Sequence, residues 1–181
     1  MRKVEIEIPD GKVAKWVNGV LTLVDDKKPQ NVMERIKTFE DALAELSNRA
    51  MSGDEDAGKL LDEWKIITST AGSKDLLAYL KLRIITAALN EGWKPQFTNG
   101  ELRWYFWYDL ISKEQYKLSA EAKSRGGISA NAHCGLVYVR ALSVSSYFGS
   151  HFCSRLAFKS KELAEYAGKQ FVEIYGEYCL I

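Results

Sequence analysis

The chain has 181 residues, 46% hydrophobic and 27% charged, with 25 Lys and Arg against 24 Asp and Glu. That length suits one domain with a real core that needs neither disulfides nor a structural metal. A formal net charge of +1 excludes a global electrostatic pull toward nucleic acid or an anionic membrane.

The opening residues MRKVEIEIPDG lack the apolar run of a leader peptide, and no apolar run approaches the roughly 18 residues of a membrane span. The expectation is a cytoplasmic protein without membrane insertion. Cys134, Cys153 and Cys179 are odd in number and lack C-x-x-C spacing, which speaks against a disulfide framework and a zinc ribbon.

In chain order, VEIEIPDGKVAKWVNGVLTLVDD alternates apolar and polar residues around Asp10-Gly11 and Asn18-Gly19. Alternation marks strands and these dipeptides favour tight turns. Three short strands follow, about Val4 to Ile8, Val13 to Val17 and Val20 to Val24. Such a meander is marginal alone and should dock on the main body or on a partner. It forms an N-terminal β-hairpin module over residues 1–28, and DDKKPQN links it to a main domain over 33–181.

From Met33 the period changes: Ile36, Phe39, Leu43 and Leu46 share one helix face. A weaker helix carries Ala57, Leu60, Leu61 and Trp64. The clearest helix is SKDLLAYLKLRIITAALNEGW, with Ser73 as N-cap, Asp75 in the first turn, a buried stripe of Leu76, Leu77, Leu80, Ile84 and Ala88, and Gly92 as the stop with Trp93 packing back. ELRWYFWYDL reads as a strand, aromatic on both faces, and ISKEQYKLSAEAKSRGG as a charged connection. SRLAF reads as a short strand, and Leu163, Ala167, Phe171, Ile174 and Tyr178 predict one helix capped by Ser160. The class is α+β, an antiparallel sheet with helices packed on one face.

Residues 129–153, SANAHCGLVYVRALSVSSYFGSHFC, contain no Asp, Glu, Lys, Gln, Met or Trp, yet hold both histidines. His151 and Cys153, two apart, share a face in an extended strand, and His133 or Cys134 could complete a zinc set. The spacing matches no common zinc module, and a Cys-His nucleophile would lack a nearby carboxylate to orient it. Leu136, Val137, Val139 and Leu142 fit a core strand. Between Ser124 and Phe158 average composition would place roughly eight or nine charged residues, but only Arg125, Arg140 and Arg155 occur. The Ser, Tyr, Asn, Gly and His that replace them are the mixture of adaptable binding surfaces.

Ser129, Asn131, His133, Cys134, Val139, Arg140, Leu142, Ser145, Tyr147, His151, Phe152 and Cys153 are all reachable from an AAC asparagine codon by changing adenines alone. Lys, Glu, Gln, Met and Trp are not reachable that way and are missing. Asp and Thr are reachable and also absent.

NVMERIKTFEDALAEL, LLAYLKLRIITAALNEGWKP, GLVYVRA and SRLAFKSKELAEYAGKQFVEIY resemble an uncharacterised family encoded by prophages and mobile elements of gut anaerobic bacteria. IEIPDGKVAKWVNGVLTLVDD is similar to a short hairpin module attached to other proteins of such elements. The resemblance implies a phage or mobile-element context, and the family carries no established activity or catalytic residues to transfer. It further implies variation over Ser129 to Cys153, as in targets of diversity-generating retroelements, which commonly use a C-type-lectin-like fold, the alternative to the α+β arrangement above.

The expectation is a non-enzymatic recognition module, cytoplasmic or virion-associated, that binds a protein or cell-surface ligand through Asn131, His133, Tyr138, Arg140, Tyr147, His151 and Phe152, with no cofactor and no metal. The alternative is a nucleic-acid-binding accessory protein that uses Trp104 to Tyr108 with Arg103, a less favoured partner class.

Overall fold

The computed structural model describes residues 7–9, 12–17, 19–25, 30–70, 72–96, 98, 100–112, 114–115, 134–145 and 154–180. The α+β expectation holds: helices pack on one face of a two-stranded antiparallel ribbon, and a separate hairpin precedes them.

The N-terminal hairpin pairs β1 (Lys12–Val17) with β2 (Val20–Asp25) in antiparallel register from Lys12↔Asp25 to Val17↔Val20. That register leaves a two-residue connection with Gly19 at φ 79°, a backbone region that favours glycine. Trp16 and Leu21 face each other across the ribbon and are 74% and 37% exposed. Glu7 to Pro9 are not a strand, and the rest of the expected first strand, with Asp10-Gly11, lies outside the described residues.

The helix expected from Met33 is two helices. α1 (Val32–Arg35) stops at Ile36, and α2 (Phe39–Met51) starts from Thr38. Thr38 Oγ1 accepts from the Asp41 amide at 3.1 Å while the Asp41 carboxylate accepts from the Thr38 amide at 2.9 Å. This reciprocal capping box satisfies two amides that a helix start leaves open. The carbonyls freed at the break go to the C-terminal helix: Tyr166 donates to Ile36 O at 2.6 Å and Gln170 to Lys37 O at 2.7 Å.

α3 (Glu55–Ser69) is capped by Asp54, whose carboxylate accepts from the Asp56 and Ala57 amides at 3.1 Å each. Its Trp64 meets Phe39 edge-on at 5.0 Å, which joins α3 to α2.

α4 (Lys74–Leu89) carries no stripe but is buried nearly all round at its C-terminal half: Leu80, Leu82, Ile84, Ile85, Ala88 and Leu89 are all 0% exposed. A single stripe suits a surface helix, whereas an apolar surround marks a helix packed on several sides. α2, α3 and the C-terminal helices supply those sides. Ser73 occupies the N-cap position with extended backbone, but its side chain makes no capping bond to the helix amides. At the other end Glu91 (φ 50°) and Gly92 (φ 89°) turn the chain. The non-glycine conformation at Glu91 is held by ion pairs to Arg35 at 2.8 Å and Lys159 at 2.9 Å.

β3 (Leu102–Ser112) pairs antiparallel with β4 (Cys134–Ser145). SRLAF is not a regular strand: Ser154–Leu156 form a 3-10 turn, and Phe158 alone bridges to Trp104 through N···O contacts of 3.0 and 2.8 Å. Phe158 therefore sits on the edge of β3 opposite β4. The expected single C-terminal helix divides at Phe171 (φ −113°, ψ 26°) into α5 (Lys161–Gln170) and α6 (Val172–Cys179). Phe171 is buried and packs edge-on against Tyr166. Ser160 caps α5 as expected, with Oγ 3.3 Å from the Leu163 amide.

Candidate recognition surface

β3 and β4 form a two-faced ribbon, and its register decides which side chains reach solvent. Directly paired residues of antiparallel strands share a face. Trp104, Phe106 and Tyr108 turn toward α5 and α6. Phe106 meets Tyr175 edge-on at 4.5 Å, and Tyr108 donates to Gly168 O at 2.5 Å. α5 approaches the ribbon closely at Gly168, where an added Cβ would stand 2.7 Å from Phe106 Cγ and 3.0 Å from the Tyr138 ring.

The opposite face carries the pairs Tyr105↔Leu142 and Trp107↔Arg140. Between Trp107 and Tyr108 the register slips, because Tyr108 pairs with Tyr138 and leaves Val139 unpaired. A bulge of this kind puts an extra residue in one strand and re-aims its neighbours. Tyr138 and Ala141 are both buried, 5% and 7% exposed, so the slip places Val139 and Arg140 together on the outer side. Toward its ends that side buries Arg103 at 4% and Val137 at 2% exposure, while Asp109, paired with Val137, is exposed. Between them lies a window of Trp107 (47% exposed), exposed Arg140 and half-buried Tyr105, Val139 and Leu142. Arginine and tryptophan are among the residues enriched at the hot spots of protein interfaces.

Of the candidate contact residues, Arg140 is on this surface. Tyr138 is not, which corrects the expectation. Its ring is packed under α5, 6.3 Å from Tyr108, with Lys169 Nζ 5.1 Å from its centroid. Burial, with the Glu165 carboxylate adding, pushes its phenol up to about 12. Its hydroxyl has no hydrogen-bond partner among the described residues. Burial likewise raises the Tyr108 and Tyr175 phenols above their ordinary value, so this aromatic cluster is neutral core. Asn131, His133, Tyr147, His151 and Phe152 lie outside the described residues, as does Cys153.

The aromatic rings of β3 are not gathered on one face. Alternation sends Trp104, Phe106 and Tyr108 inward and leaves Tyr105 and Trp107 outward, while Arg103 is buried. Trp107 was legible as an outer residue only by taking the strand's period of two literally and knowing which face the helices cover. Among the described residues no group of three His, Cys, Asp or Glu side chains is arranged to hold a metal ion. Among them, too, no helix is long and apolar enough to cross a membrane.

No protein-family model, curated protein or solved structure matches this chain.

Proposed function

We propose that this is a non-enzymatic recognition protein of phage or mobile-element context, with the outer face of the β3–β4 ribbon at the centre of its binding surface. The observation that carries the reading is the cross-strand pair Trp107↔Arg140, exposed in the middle of the face turned away from the helices. The charge-poor, Ser- and Tyr-rich segment around β4 supplies the adaptable part, including Asn131, His133, Tyr147, His151 and Phe152. α5 and α6 hold the ribbon from behind, so variation on the outer face leaves the buried aromatic layer intact. The favoured partner is a protein or cell-surface ligand, met in the cytoplasm or on a virion.

The gene's surroundings test the variable-surface part. A near-identical template repeat beside a reverse transcriptase gene, differing from the Ser129 to Cys153 codons only at adenines, is the expected finding. A locus with no such repeat removes retroelement diversification from the proposal.

The same window motivates a second reading, nucleic-acid binding, because Tyr105 and Trp107 beside Arg140 offer stacking and a cation. Filter binding of single-stranded DNA at two salt concentrations separates the two. Salt-sensitive binding that Trp107→Ala abolishes supports the nucleic-acid reading, and no retention at low salt eliminates it.

A further inference from the structure

Away from the ribbon, α2, α3, α4 and the loop after α4 enclose a cleft of about 500 Å³, within the range of small-molecule sites. Its floor is apolar, built from Leu46, Ala57, Leu60 and Ala87, and Trp93 and Pro95 form one wall. Its polar lining is one-sided: Arg49, Lys59, Arg83, Lys94 and Arg155 against Asp56 and Glu63. Glu63 accepts from Arg83 at 2.6 Å and Asp56 from Lys94. Arg49 is held by Asp54, outside the cleft lining, and by the Ala87 carbonyl at 2.8 Å. Arg155 has neither an ion-pair nor a hydrogen-bond partner among the described residues, and Lys59 has only an exposed pair with Glu55 at 3.5 Å, of the kind that contributes little.

We propose that this cleft binds a phosphomonoester carrying a flat ring, a molecule the size of a nucleoside monophosphate. The phosphate sits between Arg155 and Lys59, where positive charge exceeds its local compensation. A dianion with several acceptor oxygens suits separated cations better than a single carboxylate. The ring lies along Trp93 over the apolar floor. Gly92 lets the loop close over Arg49: a Cβ there would stand 3.4 Å from Arg49 Nη2, at a φ of 89° that side chains rarely adopt.

The test is calorimetric titration of the full chain with adenosine and uridine monophosphates at low salt, alongside adenosine and inorganic phosphate. The expected result is binding of at least one nucleotide that exceeds both adenosine and phosphate by tenfold or more. Arg155→Ala and Trp93→Ala each weaken it about tenfold, while Lys81→Ala, outside the cleft, leaves it unchanged. Arg155 is exposed, so its variant carries the test if Trp93→Ala fails to fold. Absence of heat and of thermal stabilisation with both nucleotides at millimolar concentration overturns the proposal. So does nucleotide binding that Arg155→Ala leaves intact, or free phosphate or adenosine binding as tightly as the nucleotide.

Discussion

Asn90 Nδ2, at the C-terminal end of α4, donates to the carbonyl of Ala157 at 2.8 Å. The same side chain accepts the Lys159 amide on Oδ1 at 3.0 Å, and Asn90 is only 4% exposed. One buried amide thus fastens the central helix to the segment whose Phe158 pairs with β3. Replacing Asn90 by Ala leaves the buried Ala157 carbonyl without this donor, at about 1–3 kcal/mol, and the part-buried Lys159 amide without this acceptor, at less because water can reach it. Asn90→Ala is expected to lower the urea midpoint strongly, and Asn90→Asp to do so as well, because it keeps the acceptor but loses the donor. A midpoint unchanged in Asn90→Ala would show that the α4 junction does not depend on this amide.

Glycine content separates close packing from backbone freedom. Gly168→Ala drives a methyl into Phe106 and Tyr138, and overpacking of this kind costs about 1–3 kcal/mol. Gly58, inside α3, has nothing within 4 Å of its would-be Cβ, so Gly58→Ala should stabilise by about 0.5–1 kcal/mol through helix propensity. Thermal unfolding of the two variants should shift in opposite directions.

The two faces of β3 should differ sharply in cost. Phe106→Ala removes a ring packed against Tyr108, Phe158 and Tyr175 and should destabilise by about 3 kcal/mol. Trp107→Ala, on the outer window, should change stability by less than about 0.5 kcal/mol. Equal losses in denaturant unfolding would contradict the placement of Trp107 on the outer, solvent-facing side of the ribbon.

Stability should fall at both pH extremes for identifiable reasons. The Tyr138 phenol, raised to about 12 against an unfolded value near 10, keeps its proton in the fold while the unfolded chain ionises. Stability is therefore fully present below pH about 10 and is lost as pH rises toward about 12. A phenolate absorbance titration should show late-titrating tyrosines that appear together with unfolding.

At the acid end the carboxyls of Asp41, Asp54 and Glu91 lie below their ordinary range. The first causes are the Lys37 amide, the Ala57 amide and the Lys159 ammonium respectively. Their contribution is present above the ordinary carboxyl value of about 4 and disappears as pH falls through the lowered folded values. Asp41→Asn should flatten this acid dependence in urea unfolding measured across pH 5 to 3.

Local physics made much of this architecture readable. Asn18-Gly19 marked a hairpin, Ser160 and Ala57-Leu60-Leu61 marked helix starts and faces, and the alternation around Trp104 to Tyr108 marked a strand. These signals work because turn dihedrals, capping and side-chain periodicity depend on neighbours a few residues apart. The capping box of Thr38 and Asp41 was equally local, yet the apolar spacing from Ile36 to Leu46 hid it.

Other features depended on residues far apart in the chain. The α1–α2 break is held by Tyr166 and Gln170, more than a hundred residues away, and the division at Phe171 by a ring that must be buried. α4 showed its apolar content in sequence, but only the helices around it decide that it is enclosed rather than striped. The outer face of the ribbon follows the same logic: composition singled out residues 129–153, while the slip at Val139 sends Tyr138 into the core and leaves Arg140 beside Trp107. A bulge is set by how two strands align against a third layer, and that energy belongs to contacts the linear order of residues does not contain.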